Sequence, residues 1–153
     1  MNKKDFIGKT LITQSFKETQ KLGSDFAKAL TEGDVVCLHG DLGLGKTTFV
    51  QGIAKGLGIE NRVISPTFVM VRKYVLNKEQ KAKNRRDFYH IDLYRAENER
   101  DIESLGLEEI LNNKNNIVAI EWAEKLRSQK TKKRIDVEFF YEKENCRRIT
   151  FGS

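Results

Sequence analysis

The chain has 153 residues, with 28 Lys and Arg against 22 Asp and Glu, a formal net charge of +6 and a sequence pI near 9.3. One domain takes ~100–200 residues, so a single domain over residues 1–153 is expected, with a core that needs no disulfide or metal staple. A balance of 39% hydrophobic and 33% charged residues, with no apolar run near the ~18 residues of a spanning helix, excludes an acidic disordered tail and a helical membrane protein.

The positive charge points to nucleic acid, an anionic nucleotide or an acidic partner. Met1 to Thr13 is Lys-rich but has no apolar core of an export signal, so a cytoplasmic location and no membrane contact are expected. Cys37 and Cys146 lie far apart with no C-x-x-C, which reads as two reduced thiols. Two His and two Cys, neither pair at ligand spacing, do not make a structural zinc site.

In chain order, Phe6 to Thr13 reads as a short strand. Ser15-Phe16-Lys17-Glu18 has the form of a capping box. Phe16, Thr19, Leu22, Phe26 and Leu30 then follow helical spacing up to Gly33. Val35 to Leu38 is an unbroken apolar run, as in a strand buried on both faces. Gly40 to Thr48 is a Gly-rich turn. The helix after it carries Phe49, Val50, Ile53, Ala54 and Leu57 and stops at Gly58. Phe68 to Leu76 is β-rich, Asn77 to Arg86 reads as a polar loop, and Phe88 to Tyr94 as a strand. Short helical pieces over Arg100 to Leu111 break at Gly106. Ile117 to Ile120 is a second buried strand ending in Glu121, and Arg134 to Tyr141 with Arg148 to Phe151 form a closing pair. Alternating strands and helices predict an α/β, three-layer P-loop NTPase-like domain. The closing hairpin makes its central sheet mixed, though mostly parallel.

Gly40-Asp41-Leu42-Gly43-Leu44-Gly45-Lys46-Thr47 fits G-x-x-x-x-G-K-[ST] at every defined position, between an apolar strand and an amphipathic helix. Glycines let backbone amides curl toward an anion, and the helix N-terminus adds unpaired N–H groups and partial positive charge. Lys46 is placed to reach β- and γ-phosphates, and the Thr47 hydroxyl to bind Mg²⁺. A Rossmann reading fails, because Thr48 stands where that fingerprint needs its third small residue.

A P-loop enzyme also needs a carboxylate at a strand end beside the loop. Glu121 closes an apolar strand in Walker B fashion, and Asp92 is a second candidate, for the metal or the attacking water. His90 reads as a packed or hydrogen-bonded side chain rather than a base. Trp122 falls beside the carboxylate. Ser65-Pro66-Thr67 sits where many P-loop proteins carry a switch, with Pro66 biasing Ser65 toward extended backbone.

Taken together, G-D-L-G-L-G-K-T-T at 40–48, S-P-T-F at 65–68, H-I-D-L-Y-R at 90–95 and I-E-W at 120–122 resemble the TsaE (YjeE) family, over nearly the whole chain. The resemblance implies an ATPase, binding ATP or ADP with Mg²⁺, that supports formation of N6-threonylcarbamoyladenosine in tRNAs reading ANN codons. It also implies a TsaB–TsaD partner that the ATPase resets, with tRNA met indirectly or through basic patches. By position, Lys46, Asp92 and Glu121 would carry hydrolysis, and Thr47, Glu121 and Asp92 would hold the metal. Asp41, Leu42, Gly43, Leu44, Gly45, Lys46, Thr47, Thr48, Ser65, Thr67 and Trp122 would surround the nucleotide. Leu44 stands where the family often has Ala and makes the loop's outer face bulkier. Ala123 stands where Pro often follows the Trp. Phe16 and Arg147 are weaker adenine candidates.

Two other classes share features with this chain. A small-molecule kinase would use the same loop under a lid of arginines, for which only Arg85 and Arg86 offer themselves. A nucleic-acid module would use the basic stretches 72–86 and 125–134. Tyr74 is their single aromatic, short of the interleaved aromatics of single-strand binding. The acidic stretch 97–109 makes the surface polarised.

Overall fold

A computed structural model describes residues 2–64, 70–126 and 133–152. The strands are β1 (Thr10–Thr13), β2 (Val35–His39), β3 (Val71–Val75), β4 (Asp87–Asp92), β5 (Asn116–Glu121), β6 (Arg134–Lys143) and β7 (Cys146–Gly152). The helices are α1 (Phe16–Ala27), α2 (Lys46–Gly56), α3 (Lys78–Lys81), α4 (Glu99–Glu103) and α5 (Leu107–Asn112). All seven strands form one sheet in the order β1-β7-β6-β2-β5-β4-β3. The inner four, β6, β2, β5 and β4, run parallel, and the flanking pairs are antiparallel.

Every residue of β5 and the first four of β2 are buried, because helices cover both faces of the inner sheet. On one face α1 and α2 seal a core of Phe26, Phe49, Phe88, Val137 and Phe139. On the other, α4 and α5 contribute Ile102 and Leu107 over Ile91, Val118 and Ile120. The result is the expected three-layer α/β arrangement. Helices α1 and α2 touch backbone to backbone. A Cβ on Gly23 would stand 2.2 Å from the Phe49 carbonyl oxygen, and one on Gly52 2.0 Å from that of Gln20.

The parallel register pairs Asp92 with Glu121 at the C-terminal ends of β4 and β5. Open α/β sheets bind ligands at that edge. Both candidate carboxylates are therefore delivered to one place by strands that lie far apart in sequence.

Some local expectations change. The strand expected from Phe6 starts only at Thr10, because Lys3–Asp5 form a 3₁₀ turn capped by Asn2. Phe6 is instead drawn into the core against Phe26 and Phe151. The expected loop 77–86 contains the one-turn helix α3, capped by Asn77 and anchored by buried Gln80. One turn is too short to show periodicity. Ser15 accepts from the Glu18 amide at 3.1 Å, but the return bond from the Glu18 side chain is not made among the described residues, so only half of the capping box forms.

Candidate nucleotide-binding site

The loop between β2 and α2 is shaped by its glycines. Gly40 has φ +137°, and a Cβ there would lie 2.8 Å from the Phe139 carbonyl oxygen. Gly45 is the N-cap of α2 at φ +97° and offers no side chain to its first turn. The leading N–H groups of this 11-residue helix are thus left for an anion.

Lys46 is the first residue of α2 and only 4% exposed. Its ammonium donates to the Gly40 carbonyl and lies 4.0 Å from the centre of the Trp122 ring. Burial lowers its pKa from the ordinary lysine value, opposed in part by the Glu121, Glu124, Asp92 and Asp41 carboxylates. Trp122 reaches this position by adopting a left-handed backbone at φ 59°. That conformation is costly for a bulky residue and typical of functional sites. Lys125 fastens the far wall, donating to the Tyr94 and Ala96 carbonyls at 2.7 and 2.9 Å. Tyr94 packs on Trp122 with ring centres 5.1 Å apart.

Behind the loop, the Thr47 hydroxyl donates to both oxygens of Glu121, at 3.0 and 3.1 Å. His90 Nε2 lies 2.6 Å from Glu121 Oε2. An ionised carboxylate only accepts, so Nε2 carries the proton. The sequence expectation of a hydrogen-bonded His90 holds, with Glu121 as its partner. Asp92 is buried and accepts from the Tyr94 amide at 2.9 Å.

A cleft of about 360 Å³ opens between these elements. Leu42, Gly43, Gly45, Lys46, Thr47, Thr48, Asp92, Glu121 and Trp122 all line it, together with Phe16 and Tyr94. Asp41 and Leu44 do not border it. The bulk expected from Leu44 on the outer loop face is absent, since that side chain turns inward and packs against the core. Leu42 is the exposed one, at 69%. Ser65 and Thr67, with Pro66, lie outside the described residues. Arg147 approaches the loop, with Nη2 3.5 Å from the Gly43 carbonyl oxygen.

Tyr94 and Lys125 escaped sequence reasoning. Their partners are backbone carbonyls and rings that no local spacing reveals. The same holds for His39, which ends β2 with Nε2 2.8 Å from Asp136 and Nδ1 3.4 Å from Glu124. Burial pushes the Asp136 carboxyl up, but hydrogen bonds from Arg134 and His39 outweigh it and hold it below the usual carboxylate value. Cys37, also on β2, is buried, and desolvation raises its thiol to about 12.

The donors around Thr47 are hard oxygens from a hydroxyl and carboxylates. Among the described residues no group of three or more His, Cys, Asp and Glu is arranged as a metal centre. This set fits Mg²⁺, which takes one or two carboxylates and completes its shell with water and phosphate. It does not fit zinc.

A parallel inner sheet, a glycine loop that opens onto a helix N-terminus, and a strand-end carboxylate bonded to the loop threonine define the class of P-loop nucleotide-binding proteins. Comparison with known proteins narrows the class. The model of the family described as threonylcarbamoyl adenosine biosynthesis protein TsaE matches residues 13–149. The chain belongs to the TsaE family, whose role lies in forming threonylcarbamoyladenosine.

Among its relatives, the tRNA threonylcarbamoyladenosine biosynthesis protein TsaE of Nostoc sp. is 42% identical over 116 residues, covering 72% of this chain and 65% of that protein. The protein of the same name from Bacillus subtilis is 38% identical over 146 residues, covering 94% and 82%. The crystal structure of Bacillus subtilis YdiB superposes with a TM-score of 0.73 at 31% identity, over 94% of this chain and 83% of that one. Among the described residues no helix is long and apolar enough to cross a membrane.

Proposed function

We propose that residues 1–153 act as one cytoplasmic ATP-binding domain. It hydrolyses ATP with Mg²⁺ to reset a TsaB–TsaD complex that forms N6-threonylcarbamoyladenosine in tRNAs reading ANN codons. The observation that carries this reading is the contact of Thr47 with both Glu121 oxygens. It brings the loop hydroxyl and the strand-end carboxylate together where a phosphate-bound cation is held in P-loop enzymes.

In the mechanism that follows, Lys46 exchanges the Gly40 carbonyl and the Trp122 face for the β- and γ-phosphates. The amides of residues 43–48 meet the phosphate oxygens at the start of α2. Thr47, Glu121 and Asp92 would hold Mg²⁺, and Asp92 would stand near the γ-phosphate. Held by these residues, Mg²⁺ would supply neutralisation of the negative charge on the phosphates as the P–O bond to the γ-phosphorus is cleaved. Ser65 and Thr67 are assigned to the γ-phosphate by sequence position alone. Turnover by the protein alone is slow in this reading. Among the described residues Lys46 is the one buried cation lining the cleft, and an arginine from the partner would complete the site.

The kinase alternative loses support. Arg85 is buried and spends its guanidinium on Gln80 and the Leu30 carbonyl, far from any lid role. The basic stretches remain candidate contacts for tRNA within the complex.

The test is Mg²⁺-dependent ATP hydrolysis by the purified protein, with and without TsaB–TsaD, beside a direct binding measurement. The expected result is slow hydrolysis that the partner accelerates. Absence of both binding and acceleration would remove the partner from the proposal.

A further inference from the structure

We infer that His90 is a positioning residue. It holds the Glu121 carboxylate in the orientation that receives the divalent cation, and it acts through Glu121 alone. The inference rests on the proposed Mg²⁺–nucleotide reading of the cleft.

Three observations carry it. The first is registry. His90 pairs with Ala119, and Asp92 with Glu121, across the parallel β4–β5 ladder. Strand parity puts His90 and Glu121 on the face covered by α2. The small side chain of Ala119 leaves the imidazole room to lean along the strands, and Nε2 meets Glu121 Oε2 at 2.6 Å.

The second is burial. His90 is fully buried and Glu121 is 3% exposed. Water does not compete for this bond, and a carboxylate acceptor makes it one of the stronger kind.

The third is that His90 has no other polar task. Its Nδ1 makes no hydrogen bond among the described residues, and the side chain does not line the nucleotide cleft. A buried nitrogen without a partner is costly, and a leucine would fill the space without that cost. The histidine is therefore explained by what Nε2 does for Glu121.

The consequence appears on loading. Without a cation, Thr47 and His90 both donate to Glu121. A hydroxyl can give a lone pair to a cation and still donate its single O–H, so on loading Thr47 can hold at most one Glu121 oxygen. The His90 bond to Oε2 is the second fixed point that keeps Glu121 aimed. Residues that orient a metal ligand from behind typically shift metal affinity by about 10–100-fold.

The experiment titrates Mg²⁺ against binding of a fluorescent N-methylanthraniloyl-ATP. His90→Leu is expected to raise the Mg²⁺ concentration for half-saturation by about 10–100-fold, with nucleotide affinity in EDTA unchanged. His90→Gln, whose amide N–H reaches a similar position, should recover most of the effect. In a Glu121→Gln background, His90→Leu should add nothing further. An unchanged half-saturation, an equal loss with and without Mg²⁺, no recovery by Gln, or full additivity each overturns the inference.

A measurement on the unsubstituted protein covers the outcome in which the leucine variant does not fold. Imidazole ¹⁵N resonances should show Nε2 protonated and hydrogen-bonded both free and with Mg²⁺–nucleotide. Loss of that bond on loading overturns the proposal. If the unsubstituted protein binds nucleotide with no Mg²⁺ dependence at all, the reading of the cleft fails, and this inference with it.

Discussion

Replacing Gly52 by alanine sets two physical effects against each other. Gly52 lies inside α2, and helix propensity alone would make alanine stabilising there by about 1 kcal/mol. The tertiary structure gives the opposite sign. The new Cβ would stand 2.0 Å from the Gln20 carbonyl oxygen of α1, where ordinary contact begins at 3.4 Å, so the helices must part by about 1.4 Å. The obstructing atom is backbone, which no rotamer change can move. Overpacking of this kind costs about 1–3 kcal/mol, occasionally more, and the upper end applies. The net expectation is a loss of about 2 kcal/mol after the propensity gain, a fall in Tm of roughly 4–8 °C for a domain of this size. Urea denaturation followed by circular dichroism measures it, with exposed Lys55→Ala on the same helix as a near-neutral control. A Gly52→Ala variant as stable as the parent, or more so, would refute the close helix contact. Gly23→Ala should behave alike, since its Cβ meets the Phe49 carbonyl oxygen at 2.2 Å.

Lys46→Ala should weaken ATP binding strongly, read by fluorescent nucleotide titration. Burial lowers the Lys46 pKa from its ordinary value, whereas phosphates beside it would raise it. Nucleotide binding should therefore take up a proton at alkaline pH, and affinity should fall as pH rises through the nucleotide-free value. Calorimetry in buffers of different ionisation enthalpy detects this. Glu121→Ala should impair Mg²⁺-dependent hydrolysis more than nucleotide binding. Equal losses would make Glu121 merely structural. Cys37 should not react with thiol reagents in the native state. Its folded pKa of about 12 lies above the ordinary thiol value of 9.0, so the unfolded chain loses this proton first. Its stabilising contribution is complete below about pH 9 and declines as pH rises toward 12. Cys37→Ala should flatten stability against pH across that window. Arg85→Met should destabilise the protein while leaving nucleotide affinity intact, because Arg85 ties Gln80 of α3 to the Leu30 carbonyl.

The phosphate loop was legible because its chemistry is local. Gly40, Gly43 and Gly45, with Lys46 and Thr47, lie between a run of apolar strand residues and an amphipathic helix, and no distant residue is needed to make that pattern. Glu121 was legible for a related reason, as the polar end of a strand that is otherwise buried. Leu44 was misjudged because sequence cannot tell which of two leucines in a six-residue loop turns inward. Helix α3 was missed because its stability comes from Asn77 and from Gln80 held by Arg85, not from a repeating pattern. The role of His90 was half visible, as a hydrogen-bonded group without a named partner.

The amino-acid sequence by itself determined the α/β class, the order of its strands and helices along the chain, the nucleotide loop and the identities of the acids that could serve it. Each of these follows from neighbours within a few residues. Only the tertiary structure decided that β4 and β5 lie side by side in a register that sets Asp92 against Glu121. It also decided that His90 reaches Glu121 and that Trp122 covers Lys46. Those contacts depend on strand order and on helices that pack at the distance of their backbones. Both are settled by burying the whole chain at once.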